Sequence, residues 1–295
     1  MTNNQFIHAF KTGTQVNVLG SSVIIKRQLA EGSRMYAYVV EKDGTEMVLK
    51  EVFFQPSWSY EDHVASRAAF KNIHYGSWEL STQKRLQDHP FITKAFGGHN
   101  HPGDRRRFHI LMEYAPYGDL RDVIRDYGRI DYDTAWRFYG QMVAALGHMH
   151  RQGHCHGGVG PRNVFVFSPY LCKIGDFGNG RTLARSNLSK HMMMKMTFDE
   201  YKDLRGAAET VIFMLLGRFL AGDLQRQDID KEEDVEKFFE ENPDWAEVMT
   251  AADCWFLKQS LNIVMTKRPI PDEYGQLRRD LEEDDEEQED APDTE

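Results

Sequence analysis

Two short stretches carry side chains from which chemistry could be built. His156-Gly157-Gly158-Val159-Gly160-Pro161-Arg162-Asn163 ends in an amide, and Asp176-Phe177-Gly178 opens, thirteen residues further on, with a carboxylate. Amide and carboxylate oxygens are the donors that a hard cation such as magnesium takes, usually with phosphate oxygens beside them. Upstream, Lys50 closes the apolar run Met47-Val48-Leu49, and a lysine on a strand offers a phosphate a point charge. A further group, His148, His150, His154, Cys155 and His156, has the residue types of a metal site without the spacing. Positions 148 and 150 are two apart and face different sides of a helix, so zinc is not expected.

These groups must be held by local structure, and the patterning supplies it. Valine and isoleucine are dense between Val16 and Val52, interrupted at Glu31-Gly32 and at Asp43-Gly44, which reads as hairpin-connected strands. Asp-Gly between alternating apolar residues is a tight-turn signal. Beyond Arg121 the period becomes helical, and Ala135, Phe138, Met142, Ala145, Leu146 and Met149 form one stripe, read as core. Further helices are expected within Phe198–Leu220 and Trp245–Met265. Ser59-Tyr60-Glu61-Asp62 has the form of a capped helix start.

In order and spacing the chain resembles the protein kinase superfamily. Met47-Val48-Leu49-Lys50 is similar to the strand that presents the phosphate-binding lysine. Trp78-Glu79-Leu80, with His89-Pro90-Phe91-Ile92 behind it, resembles helix C and the turn after it. Ile110-Leu111-Met112-Glu113-Tyr114-Ala115 resembles the strand entering the hinge, and Gly118-Asp119-Leu120 the start of the next helix. Asp203-Leu204 resembles the large-lobe helix whose aspartate anchors the catalytic loop, and Lys267-Arg268-Pro269 sits where the family's final arginine lies. The opening strand, Val23 to Gly32, is similar to that of the numb-associated kinases. The resemblance implies an α+β, two-lobed fold: a small lobe of antiparallel strands plus helix C, and a larger, mainly helical lobe. It also implies roles. Lys50 paired with Glu79 would hold phosphates, and Asn163 and Asp176 would hold magnesium. Gly32, Val48, Met112, Glu113, Ala115 and Phe165 would complete a nucleotide site, with Met112 as gatekeeper.

The departures from the family pattern are concentrated where transfer takes place. Gly158 stands where the family has the aspartate that accepts the substrate hydroxyl proton, so no catalytic residue is assigned. Gly157 replaces an arginine and Gly160 a lysine. The phosphate loop reads Ala30-Glu31-Gly32-Ser33-Arg34-Met35, keeping one glycine of three and placing Met35 where backbone should meet phosphate. Val48 and Phe165 are larger than the usual residues above and below adenine, while Ala37 is smaller, which leaves ATP and magnesium binding open. Gln83 falls where an apolar residue packs on Phe177. Only 24 residues separate Gly178 from Asp203, without Ala-Pro-Glu. In that shortened segment, Met192-Met193-Met194-Lys195-Met196 reads as ordinary packing or as an adaptable contact surface.

The expected function is therefore that of a pseudokinase, a regulator or scaffold acting through protein partners. The alternative is an unconventional phosphotransferase or nucleotidyltransferase using Lys50, Glu79, Asn163 and Asp176. A third reading drops nucleotide altogether and has Val48, Phe165 and Gln83 fix the lobes as a rigid binding surface.

Size and charge agree with one such unit. The chain has 295 residues. Its net charge of −10 comes from the end: eleven of its 46 acidic residues lie in 280–295, leaving 35 against 36 basic ones elsewhere. The folded part then has no footprint for nucleic acid or anionic membrane, and no apolar run is long enough to span a bilayer. Cys155, Cys172 and Cys254 read as reduced thiols, which points to the cytoplasm, with the nucleus as alternative. The expected organisation is an irregular arm over 1–15 and a kinase-like domain over 16–279, its small lobe about 16–113 and its large lobe about 114–279. An acidic disordered tail over 280–295 follows.

Overall fold

The structure is a computed structural model that describes residues 9–32, 35–53, 75–182, 198–227 and 233–266. The helix expected from Ser59, the Met192–Met196 cluster, Lys267-Arg268-Pro269 and the acidic tail lie outside the described residues.

The strand-rich part forms one antiparallel sheet. Its strands are β1 (Gln15–Val18), β2 (Ser21–Gly32), β3 (Met35–Lys42), β4 (Thr45–Phe53), β5 (Ala95–His101) and β6 (Asp104–Glu113), in the order β1-β2-β3-β4-β6-β5. Asp43 and Gly44 both adopt positive φ, 50° and 76°, and close the β3–β4 hairpin between paired Lys42 and Thr45. That is the geometry a two-residue turn demands of the Asp-Gly pair. The β2–β3 hairpin closes between paired Gly32 and Met35. β1 begins at Gln15, the last residue of the expected irregular arm. From that arm, Phe10 and Ala9 pack on a sheet core that includes Val18, Tyr38, Val40, Leu49 and Leu111. The sheet curls so far that Leu19, at the β1–β2 turn, covers Gly97 of β5: a Cβ there would lie 2.8 Å from the leucine Cδ1.

Helix α1 (Tyr75–Leu86) packs on the opposite face, over β5 and β6. The strand period decides what reaches it. Leu49 joins the sheet core, while its neighbour Lys50 points to the other face.

The helical part contains α2 (Leu120–Tyr127), α3 (Tyr132–Arg151), α4 (Phe198–Leu216), α5 (Ala221–Arg226), α6 (Glu233–Glu241), α7 (Pro243–Ala246) and α8 (Ala251–Thr266). Asp119 caps α2, accepting from the backbone N–H of Arg121 and Asp122. The whole apolar stripe of α3 is buried in one core with Val211, Met214 and Leu257. Short strands β7 (His154–Cys155), β8 (Val164–Ser168), β9 (Leu171–Ile174) and β10 (Arg181–Thr182) pair as β8-β9 and β7-β10. They hold out the loops that carry Asn163 and Asp176. The α+β, two-lobed architecture implied by the resemblance is the one observed.

Candidate functional site

β4 delivers Lys50 and α1 delivers Glu79 to one buried point. Lys50 Nζ lies 2.5 Å from Glu79 Oε1 and 2.7 Å from Asp176 Oδ1. Glu79 is wholly buried, whereas 39% of the Asp176 side chain reaches solvent. One lysine thus faces two carboxylates, and their surroundings divide the charge. For Lys50, burial works against the charged form, but Asp176 and Glu79 together outweigh it and raise its pKa. Burial pushes the Glu79 carboxyl up to about 7 despite Lys50. Burial also acts to raise Asp176, yet the Lys50 charge prevails and holds it below its ordinary value. Asp176 carries the anion, and Glu79 takes a proton near neutrality. The backbone of Asp176 is left-handed, with φ 62° and ψ 71°, a conformation seldom adopted by residues other than glycine.

The loop between β7 and β8 is anchored from below. Asp203, fully buried on α4, accepts from the backbone N–H of His156 and of Gly157, each at 2.7 Å, and faces His150 Nε2 at 3.0 Å. Asp203 is placed as the resemblance implied, and its carboxylate fixes the loop that leads to Asn163. Asn163 Nδ2 donates to the Gly158 carbonyl at 2.7 Å. Gly157 has φ +71°, and a Cβ there would lie 2.7 Å from the Asn179 carbonyl oxygen. At Gly158 a Cβ would meet Asn179 Nδ2 at 3.2 Å and Asn163 Nδ2 at 3.6 Å. The side chains nearest that position are therefore amides, which do not accept protons at neutral pH.

The rest of the expected nucleotide set lies on β2, β4, β6, β8 and the segment after β6. Val48 and Met112 are cross-strand partners on β4 and β6. Phe165 lies on β8, close enough to Gly175 that a Cβ there would sit 2.9 Å from the ring. Glu113 and Ala115 follow at the end of β6, with Ala115 buried. Gly32 sits at the hairpin tip under Met35, whose Cγ would be 3.3 Å from an added Cβ. The bulk expected of Met35 is directed onto the one retained glycine.

Three arrangements were not legible in the sequence. The Glu113 carboxylate is gripped by Lys173 at 2.8 and 2.9 Å and by the Lys94 N–H at 2.7 Å, which pins the start of the hinge to β9. Arg27 of β2 donates to the Tyr114 hydroxyl at 2.6 Å. Gln83 does not simply loosen an apolar stack. It is fully buried, and its Nε2 donates to both the carbonyl and the hydroxyl of Thr93. Nothing in the spacing of these residues announces pairs so distant in sequence. Among the described residues no group of His, Cys, Asp or Glu converges to hold a metal ion.

Residues 31–201, more than half of the chain, match the protein kinase domain family. The chain is 29% identical to the serine/threonine-protein kinase PKH2 of Saccharomyces cerevisiae over 120 residues, which is 40% of this chain and 11% of that protein. It is 34% identical to the serine/threonine-protein kinase ppk16 of Schizosaccharomyces pombe over 103 residues, 35% of this chain and 15% of that one. It is 39% identical to the eIF-2-alpha kinase GCN2 of Arabidopsis thaliana over 82 residues, 28% and 6% of the two chains. The matched stretch spans less than a sixth of each of these relatives.

Proposed function

We propose that this chain, which belongs to the protein kinase domain family, is a pseudokinase that no longer transfers phosphate and works as a regulator or scaffold through protein partners. The observation that carries this reading is Gly158. At the position of the family's proton acceptor there is no side chain, and the groups nearest an added Cβ are the amides of Asn179 and Asn163. The nearby Asp176 is engaged by Lys50. Phosphoryl transfer rests on positioning and charge stabilisation, and each lost donor costs orders of magnitude. Gly157 and Gly160 remove two more cationic groups.

Magnesium and ATP fit the retained residues in part. Asn163 and the partly exposed Asp176 would hold the metal, and Lys50, steadied by Glu79, would meet the phosphates. Val48, Met112, Glu113, Ala115 and Phe165 would enclose the base, and Gly32 would approach the phosphates. Bound, the nucleotide would supply a phosphoryl or nucleotidyl group. Against this fit stands Met35, folded over Gly32. The proposed unit runs over 16–279, with the arm before it and the acidic tail after it. A reducing compartment, the cytoplasm above all, suits three free and buried cysteines. No helix among the described residues is long and apolar enough to cross a membrane.

The test is thermal melting with and without ATP and magnesium, alongside an assay for phosphate transfer. A melting shift without transfer supports a nucleotide-responsive regulator, and no shift supports a rigid binding fold. Transfer that disappears with Asp176→Ala overturns both. A second reading, unconventional phosphoryl or nucleotidyl transfer, is favoured by the assembled Lys50–Glu79–Asp176 group. A nucleotidyl adduct seen by mass spectrometry after incubation with ATP and magnesium would support it.

A further inference from the structure

The face of the curled sheet opposite α1 ends in a second buried polar cluster, unconnected with the cleft. Glu51, His109 and His99 are successive cross-strand partners on β4, β6 and β5, so all three point to one face. His101 and Arg107 flank them on the same face, each two residues along its strand. Glu51 Oε1 receives both Arg107 Nη1 at 3.1 Å and His109 Nε2 at 3.2 Å. The His109 ring stands 5.5 Å from that of His99 and 5.3 Å from that of His101.

The arm sits on the His109–Arg107 part of this cluster. The Phe10 ring lies 6.1 Å from His109 and 5.5 Å from Tyr38, with the Arg107 guanidinium 5.8 Å away over its face. The Phe10 N–H donates to the Tyr38 hydroxyl at 3.0 Å.

We infer that this cluster is a proton-operated latch: residues 9–12 stay docked while His99 and His101 are neutral and release as these two take up protons, whereas Gly13 and Thr14 remain bonded to Ile25 of β2. The geometry sets the sign. Nδ1 of His99 is buried without a hydrogen-bond partner, so a proton added there becomes a buried N–H with no acceptor. Glu51 already serves Arg107 and one histidine, and Asp104, 3.9 Å from Arg107 Nε, is the other nearby acid. Tyr36 and Tyr38, facing from β3, have raised pKa values through burial and stay neutral here. Glu31 of β2 acts on Tyr36. A charge on His99 or His101 would add to that of Arg107 in the same cluster, and although Glu51 and Asp104 favour a charged His101, burial, His109 and Arg107 outweigh them. Burial, then the neighbouring rings, lower the pKa of His99 and His101, even though the backbone of Asn17 favours a charged His99. A histidine with a lowered pKa favours docking above about pH 6.5, and that contribution is lost as pH falls, by up to about tenfold per pH unit for each ring.

Hydrogen exchange of the full chain, corrected for the intrinsic pH effect, reads this directly. Protection of the Phe10 amide, which donates to the Tyr38 hydroxyl, should fall at least about tenfold from pH 7.5 to pH 5.5, while that of Gly13, bonded to the Ile25 carbonyl, and of α3 stays unchanged. His99→Asn with His101→Gln should abolish that fall. Phe10→Ala should leave the amide at position 10 unprotected at both pH values. A wild-type Phe10 amide equally protected at both, or a fall that persists in the double variant, overturns the proposal. Should the double variant fail to fold, NMR titration of the wild-type histidines decides: pKa values at or above 6.5 for His99 and His101 overturn it equally.

Discussion

Gly157 and Gly158 are adjacent, yet the structure gives them opposite tolerance for a side chain. Gly157 has φ +71°, and a Cβ there would stand 2.7 Å from a backbone carbonyl oxygen of Asn179. A left-handed conformation costs an L-residue about 1–2 kcal/mol, and backbone held by the 177–179 turn cannot swing aside as a side chain can. Gly157→Ala should therefore cost about 2 kcal/mol or more. In a domain of this size that lowers Tm by about 4–8 °C. Gly158 lies outside the left-handed region, and its nearest neighbour is the movable end of the Asn179 side chain at 3.2 Å. Gly158→Ala should fall within about 0.5 kcal/mol of the parent. Differential scanning calorimetry of both variants, backed by urea titration at constant m, measures the contrast. Equal losses, or a harmless Gly157→Ala beside a damaging Gly158→Ala, would refute this account of the loop.

The same reasoning says that Gly158→Asp with Gly160→Lys will fold, since a Cβ at Gly160 meets nothing within 4 Å. It will still transfer no measurable phosphate to a generic protein substrate, because Met35, Gly157 and the short segment after Gly178 remove separate requirements. Glu79, raised to about 7 from 4.5, binds more protons folded than unfolded between those values. Stability should thus fall as pH rises through that window, by about 3 kcal/mol at most, and E79Q should flatten the dependence in pH-resolved melting. If the cleft holds nucleotide, ATP with magnesium at a hundred times its dissociation constant should stabilise the chain by about 2.7 kcal/mol, and Asp176→Asn should remove most of that shift.

The fold was legible because its signals are local. Asp43-Gly44 needs positive φ at both positions, the α3 stripe repeats at helical spacing, and Asp119 caps the helix it precedes. The Lys50–Glu79 pair and the anchoring by Asp203 were legible through the spacing of the landmarks around them. The substitution at Gly158 could be read from the sequence, but its surroundings could not. That Asn179 lies against both glycines depends on how the loop before Asn163 meets the turn after Asp176. The grip of Lys173 on Glu113 and the seating of Phe10 on His109, the buried partner of Glu51, depend on sheet curl and strand order, which no local pattern encodes.

The central claim, that a kinase-family chain with Gly158 has lost phosphoryl transfer, is tested most directly by incubating the purified protein with radiolabelled ATP, magnesium and a generic protein acceptor. Incorporation no greater than that of its Asp176→Ala variant is the result predicted. Incorporation by the parent that Asp176→Ala abolishes would contradict it.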